Sequence, residues 1–71
     1  MTSEAKDDLR ATAASIIEDA ERLAAVETEK RSLTPGDPQL VRLSEAAEAI
    51  ARQIVPKTQA EFEIATEMKP T

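Results

Sequence analysis

The residues best placed to do chemistry are glutamates in spaced pairs: Glu18 with Glu21, Glu45 with Glu48, and Glu61 with Glu63. Paired carboxylates on helices can bridge two metal ions, and two carboxylates across a cleft can perform glycosidic acid and base catalysis. Both need more than this chain supplies. Carboxylate-bridged metal sites add a Glu-x-x-His motif pointing into the core, and the sequence has no histidine. A glycosidase needs a cleft, and 71 residues leave little mass to build one. Most of these glutamates also lie off the apolar rows described below, so a solvated face is expected.

The absence of cysteine removes disulfides, and with histidine also missing it removes the usual zinc ligands. Imidazole-based acid, base and triad chemistry is absent for the same reason. No catalytic residue, metal site or cofactor is expected. Ser32, Thr34 and Thr58 carry hydroxyls at or near expected helix ends, where capping accounts for them without modification.

Charge narrows the partners. Fourteen acidic residues face nine basic ones, giving a net charge of −5, and no basic run exceeds Lys30-Arg31. Nucleic-acid affinity comes largely from Lys and Arg neutralising phosphates. Single strands also want aromatic platforms, and Phe62 is the lone aromatic. Neither nucleic acid nor an anionic membrane surface is an expected partner. No apolar run approaches the roughly 18 residues needed to span a bilayer. Met1 to Arg10 lacks the basic start and apolar stretch of a secretory signal, so a cytoplasmic location is expected.

The elements that position these groups are helices. Thirteen alanines and fifteen larger apolar residues after Met1 recur at regular spacing, unlike a disordered segment. From about 3 to 33, Ala5, Leu9, Ala13, Ile16, Ile17, Ala20, Leu23 and Ala24 fall on one helical face. Leu9, Ile16 and Leu23 are spaced by seven, which favours a supercoil with another helix. Thr2 or Ser3 can cap the start, and Glu4, Asp7 and Asp8 suit the positive end of the helix dipole. Lys30 and Arg31 suit the negative end. Glu18–Arg22, Glu27–Arg31 and Glu48–Arg52 are i,i+4 pairs in the favourable order.

Residues 34–37 read as a turn, with Gly36 free to take a positive φ. Asp37 followed by Pro38 is a helix start. From about 38 to 55, Leu40, Leu43, Ala47, Ile50 and Ile54 are spaced 3, 4, 3 and 4, a coiled-coil seam that Val41, Ala51 and Val55 widen. Pro56 predicts a break at 55–57, since an interior proline removes a hydrogen bond and costs about 3 kcal/mol. Thr58-Gln59-Ala60-Glu61 matches a capping box, so a short helix is expected from about 58 to 68. A strand through the alternating Ala60–Ile64 is the competing reading. Phe62, Ile64 and Met68 are expected to fold back on the chain's own bundle, or else to anchor a partner. Glu27 and Lys30 sit where the first seam continues. Either they tune register and partner choice, or the seam drifts aside toward Val26 and Leu33. Residues 69–71 are expected to fray.

The expected fold is therefore all-α: one domain over 1–71, an antiparallel two-helix hairpin with a short C-terminal helix after a proline break, pairing into a helical bundle. Such a hairpin leaves each seam half covered, so the expected partner is a second copy, as a dimer, or another helical protein. The residues assigned to that core or interface are Leu9, Ile16, Leu23, Leu40, Leu43, Ile50, Ile54 and Phe62. The expected function is non-enzymatic protein–protein association or a structural role. The other functional reading is an acidic regulator masking a basic partner: a toxin, a sigma-type factor or a nucleic-acid-binding protein.

Overall fold

The computed structural model describes residues 3–68, with the side chain of Ser3 left aside. Two helices, α1 (Ser3–Arg31) and α2 (Gln39–Glu67), pack against each other, and no strand occurs among the described residues. The hairpin is a rod of 54 × 15 × 14 Å. The proposed cap from Thr2 or Ser3 and the fraying of 69–71 lie outside what is described.

The connection is built as the sequence implies. Past Arg31 the helix tightens, with the Ser32 and Leu33 amides donating to the Glu29 and Lys30 carbonyls, one way to satisfy the last carbonyls of a helix. The Ser32 hydroxyl also donates to the Glu29 carbonyl at 2.7 Å. Thr34 to Asp37 then close a turn, the Asp37 amide donating to the Thr34 carbonyl at 3.0 Å. Pro35 precedes Gly36, whose φ is +91°, the arrangement a type II turn requires. The Asp37 carboxylate accepts the Gln39 amide at 2.9 Å, and its carbonyl accepts the Leu40 amide. Asp37 thus does the capping work the sequence assigns it, two residues before α2 begins.

The expected break at 55–57 does not occur, and no separate third helix is present among the described residues. α2 runs unbroken from Gln39 to Glu67 with Pro56 inside it. Thr58 does not cap a new helix; its hydroxyl donates back to the Val55 carbonyl at 2.8 Å. Two features explain the continuity. Pro56 is exposed, so the carbonyl its missing N–H leaves unpaired can turn to water. Beyond it, half-buried Lys57, Glu61, Ile64 and Met68 continue the spacing of Ile50 and Ile54 with no change of phase. A break would forfeit that alignment along three further turns.

Candidate interaction surface

Two rows of partly covered side chains form the seam. On α1 and just past its end they are Ala5, Leu9, Thr12, Ile16, Asp19, Leu23, Val26, Lys30 and Leu33, spaced alternately by four and three. On α2 and its C-cap they are Leu40, Leu43, Ala47, Ile50, Ile54, Lys57, Glu61, Ile64 and Met68, spaced by three and four. Of the assigned core or interface residues, Leu9, Ile16, Leu23, Leu40, Leu43 and Ile54 are half-buried here and Ile50 is buried at 6% exposure. Phe62 is elsewhere: it is 72% exposed and does not fold back on the hairpin, whereas Ile64 and Met68 do join the seam. The α1 seam does continue through Val26 and Leu33, both half-buried. It runs straight through Lys30, which is half-buried, while Glu27 stays exposed.

The seam holds an ion pair that a search for apolar periodicity passes over. Asp19 is the most enclosed polar residue described, at 2% exposure. Its Oδ2 accepts from Lys57 Nζ at 2.5 Å, across the hairpin, and its Oδ1 accepts from Arg22 Nη1 at 3.5 Å. Both carboxylate oxygens are therefore occupied. Lys57 keeps partial contact with water, its side chain being 31% exposed. The signal was present in the spacing: extending Leu9–Ile16–Leu23 by strict alternation lands on Asp19, and extending Ile50–Ile54 lands on Lys57.

Surface ion pairs follow local geometry more than the expected i,i+4 order. Glu48 and Arg52 do pair. Arg22 turns to Asp19 instead of Glu18, and Lys30 takes Glu27 at 3.3 Å in place of Arg31. Five of the six paired glutamates are exposed, and Glu61 is half-buried on the seam.

The remaining apolar side chains define a second surface. The seven-residue connection returns α2 antiparallel along α1, and Lys57 reaching Asp19 sets their register. Two antiparallel helices with facing seams are related by an approximate two-fold axis normal to their common plane. The residue after each seam position therefore comes out on the same broad face of the hairpin for both helices. On α1 that row is Lys6, Arg10, Ala13, Ile17, Ala20, Ala24, Glu27 and Arg31. On α2 it is Val41, Ser44, Glu48, Ala51, Val55, Thr58, Phe62 and Ala65. All four large apolar side chains that stand out in water among the described residues belong to it: Ile17 at 58%, Val41 at 62%, Val55 at 54% and Phe62 at 72% exposure. The opposite face, made by residues preceding each seam position, has Pro56 as its bulkiest apolar residue beyond alanine and carries Glu4, Asp8, Glu18, Glu29, Glu63 and Glu67.

Comparison with known proteins adds nothing to this geometry. No protein-family model, curated protein or solved structure matches the chain. No helix among the described residues is long and apolar enough to cross a membrane.

Proposed function

We propose that this chain is a non-enzymatic association module, a helical hairpin that pairs with a second copy through its apolar broad face to build a four-helix bundle. One observation carries the reading: Ile17, Val41, Val55 and Phe62 share one face, while Ile50 is the only buried apolar side chain among the described residues.

The shape supports it. The accessible surface is 5497 Å², against roughly 4300 Å² for a compact monomer of 7.7 kDa. The radius of gyration is 16.4 Å, against about 11 Å for a compact domain of this length. A rod this thin has little interior, and bundles of four helices supply one by covering lateral faces. A face about 54 by 15 Å offers roughly 800 Å² per partner, the area of a standard stable interface.

Light scattering and sedimentation across about 5–500 μM test the reading. The expected result is a dimer at the upper end, persisting from about 50 to 500 mM salt because apolar contacts respond weakly to screening. A monomer throughout, with a concentration-independent melt, overturns it. Masking of a basic partner would instead produce a complex that weakens steeply with salt.

A further inference from the structure

The apolar face also carries charge, and its distribution chooses how two copies lie together. Resting on the self-association reading above, we infer that the two hairpins pack face to face and antiparallel, α1 against α1 and α2 against α2. The two-fold axis crosses the rod near Ile17 and Ala20.

The argument begins with height along the rod. Asp19 meets Lys57, so a residue of α2 lies level with the α1 residue whose number completes 76. Glu48 is thus level with position 28, beside Glu27. The face then has Lys6 and Arg10 at the end holding the chain termini. Glu27 and Glu48, with Arg31, lie toward the turn. Between the two ends it is uncharged: Ala13, Ile17, Ala20 and Ala24 on α1, with Ala51, Val55, Thr58 and Phe62 on α2.

Only two two-fold arrangements lay this face on itself with the rods aligned. With the axis along the rod, Lys6 and Arg10 of both copies share one end, and Glu27 and Glu48 of both share the other. Like charges juxtaposed in an interface are costly. With the axis across the rod, each basic end lies over the partner's acidic end, and Arg10 falls opposite Glu27. The sum 10 + 27 also pairs Ala13 with Ala24 and Ile17 with Ala20, which keeps apolar against apolar; it brings Lys6 opposite Arg31 as well, a like-charge contact at the exposed ends of the face, where solvent screens it and Glu27 lies one turn from Arg31. An isologous contact of this kind closes at two copies. Among the described residues the face has three bases against two acids, so the acidic excess lies elsewhere and does not push this surface apart.

Because the chain has no cysteine, single cysteines report the arrangement directly. Ala13→Cys, Ala24→Cys and Ala51→Cys each replace an alanine on the face and remove no charge. Tagged and untagged variants are mixed pairwise and treated with a short bis-maleimide, with light scattering in parallel. The antiparallel dimer predicts a crosslink between Ala13→Cys and Ala24→Cys chains and none between Ala24→Cys and Ala51→Cys chains. In that dimer the latter sites are about 18 Å apart along the rod, at 1.5 Å per residue. Arg10→Glu should weaken association about tenfold, and adding Glu27→Arg to the same chain should restore it. A crosslink between Ala24→Cys and Ala51→Cys overturns the arrangement and leaves self-association standing. A dimer that crosslinks at neither pair shows that another face is used and overturns the inference. A monomer overturns both.

Discussion

Replacing Lys57 with methionine should be far more damaging than replacing Asp19 with asparagine, although both remove the same ion pair. Methionine keeps the stem length and packing of lysine and deletes the ammonium. What remains is a carboxylate whose side chain is 3% exposed, with only the long Arg22 contact at 3.5 Å. Removing one partner of a buried pair typically costs about 3–5 kcal/mol. Arg22 can move closer, so about 3 kcal/mol is expected for Lys57→Met. Asp19→Asn strands a lysine instead, and Lys57 is already 31% exposed. Its ammonium can swing into water along a flexible stem, so about 1 kcal/mol is expected. The double variant Asp19→Leu/Lys57→Met should return to within about 1 kcal/mol of the parent or exceed it, as buried pairs replaced by apolar groups often do. A chain of this length has only a few kcal/mol of stability to lose, so the single Lys57→Met change should visibly depopulate the fold. Urea titration followed by circular dichroism at 222 nm measures all three, at one fixed protomer concentration because association contributes to stability. Equal effects of the two single changes, or a double variant no better than Lys57→Met, would refute the reasoning.

Other substitutions separate the remaining claims. Pro56→Ala should stabilise by up to about 3 kcal/mol, because α2 is one helix and the proline only subtracts from it. Thr58→Ala should change stability by less than about 0.5 kcal/mol, since its hydroxyl caps nothing; a loss of about 1 kcal/mol in the same denaturation assay would restore a break. Gly36→Ala should destabilise by about 1 kcal/mol through its backbone alone, because φ is +91° and a methyl there would meet nothing within 4 Å. A neutral melt would contradict the left-handed turn. Ile50→Ala should cost about 2–3 kcal/mol, whereas Phe62→Ala should leave the hairpin's helicity intact and weaken only association, as concentration-dependent light scattering would show.

Much of the fold is legible in the sequence because apolar side chains carry it. Leu9, Ile16 and Leu23 mark one seam, Leu40 through Ile54 mark the other, and the Pro35-Gly36-Asp37-Pro38 run states the reversal. What is hidden is hidden for identifiable reasons. Asp19 and Lys57 occupy seam positions that hydrophobic patterning skips, and only the partner helix makes their burial tolerable. The break at Pro56 follows a sound local rule, outweighed by a constraint that only three dimensions display: the continuous phase of Lys57, Glu61, Ile64 and Met68. The capping-box match at Thr58 is a coincidence of residue types. The broad face was blurred for a related reason. Periodicity alone places Ala13, Ile17, Ala20 and Ala24 on one face with Leu9, Ile16 and Leu23, and only the register of Asp19 and Lys57 separates seam from flank.

The Asp19–Lys57 contact lies near the middle of the rod and joins positions 38 residues apart in sequence. A hairpin this slender closes like a zipper, each successive contact enclosing a longer loop, and contacts nearest the turn form first because their closure entropy is smallest. The turn-side half of the seam, from Leu23 through Ile54, is aliphatic except for Lys30. The other half contains Thr12, Asp19, Lys57 and Glu61. The charge pair is therefore expected to act as a gate along the closing path: the aliphatic half can zip without it, and the terminal half should follow once the ions meet. Amide hydrogens of Leu43 to Ile54 should then exchange last. Those of Leu9 to Ile16 should exchange through separate, shallower openings that Lys57→Met makes more frequent.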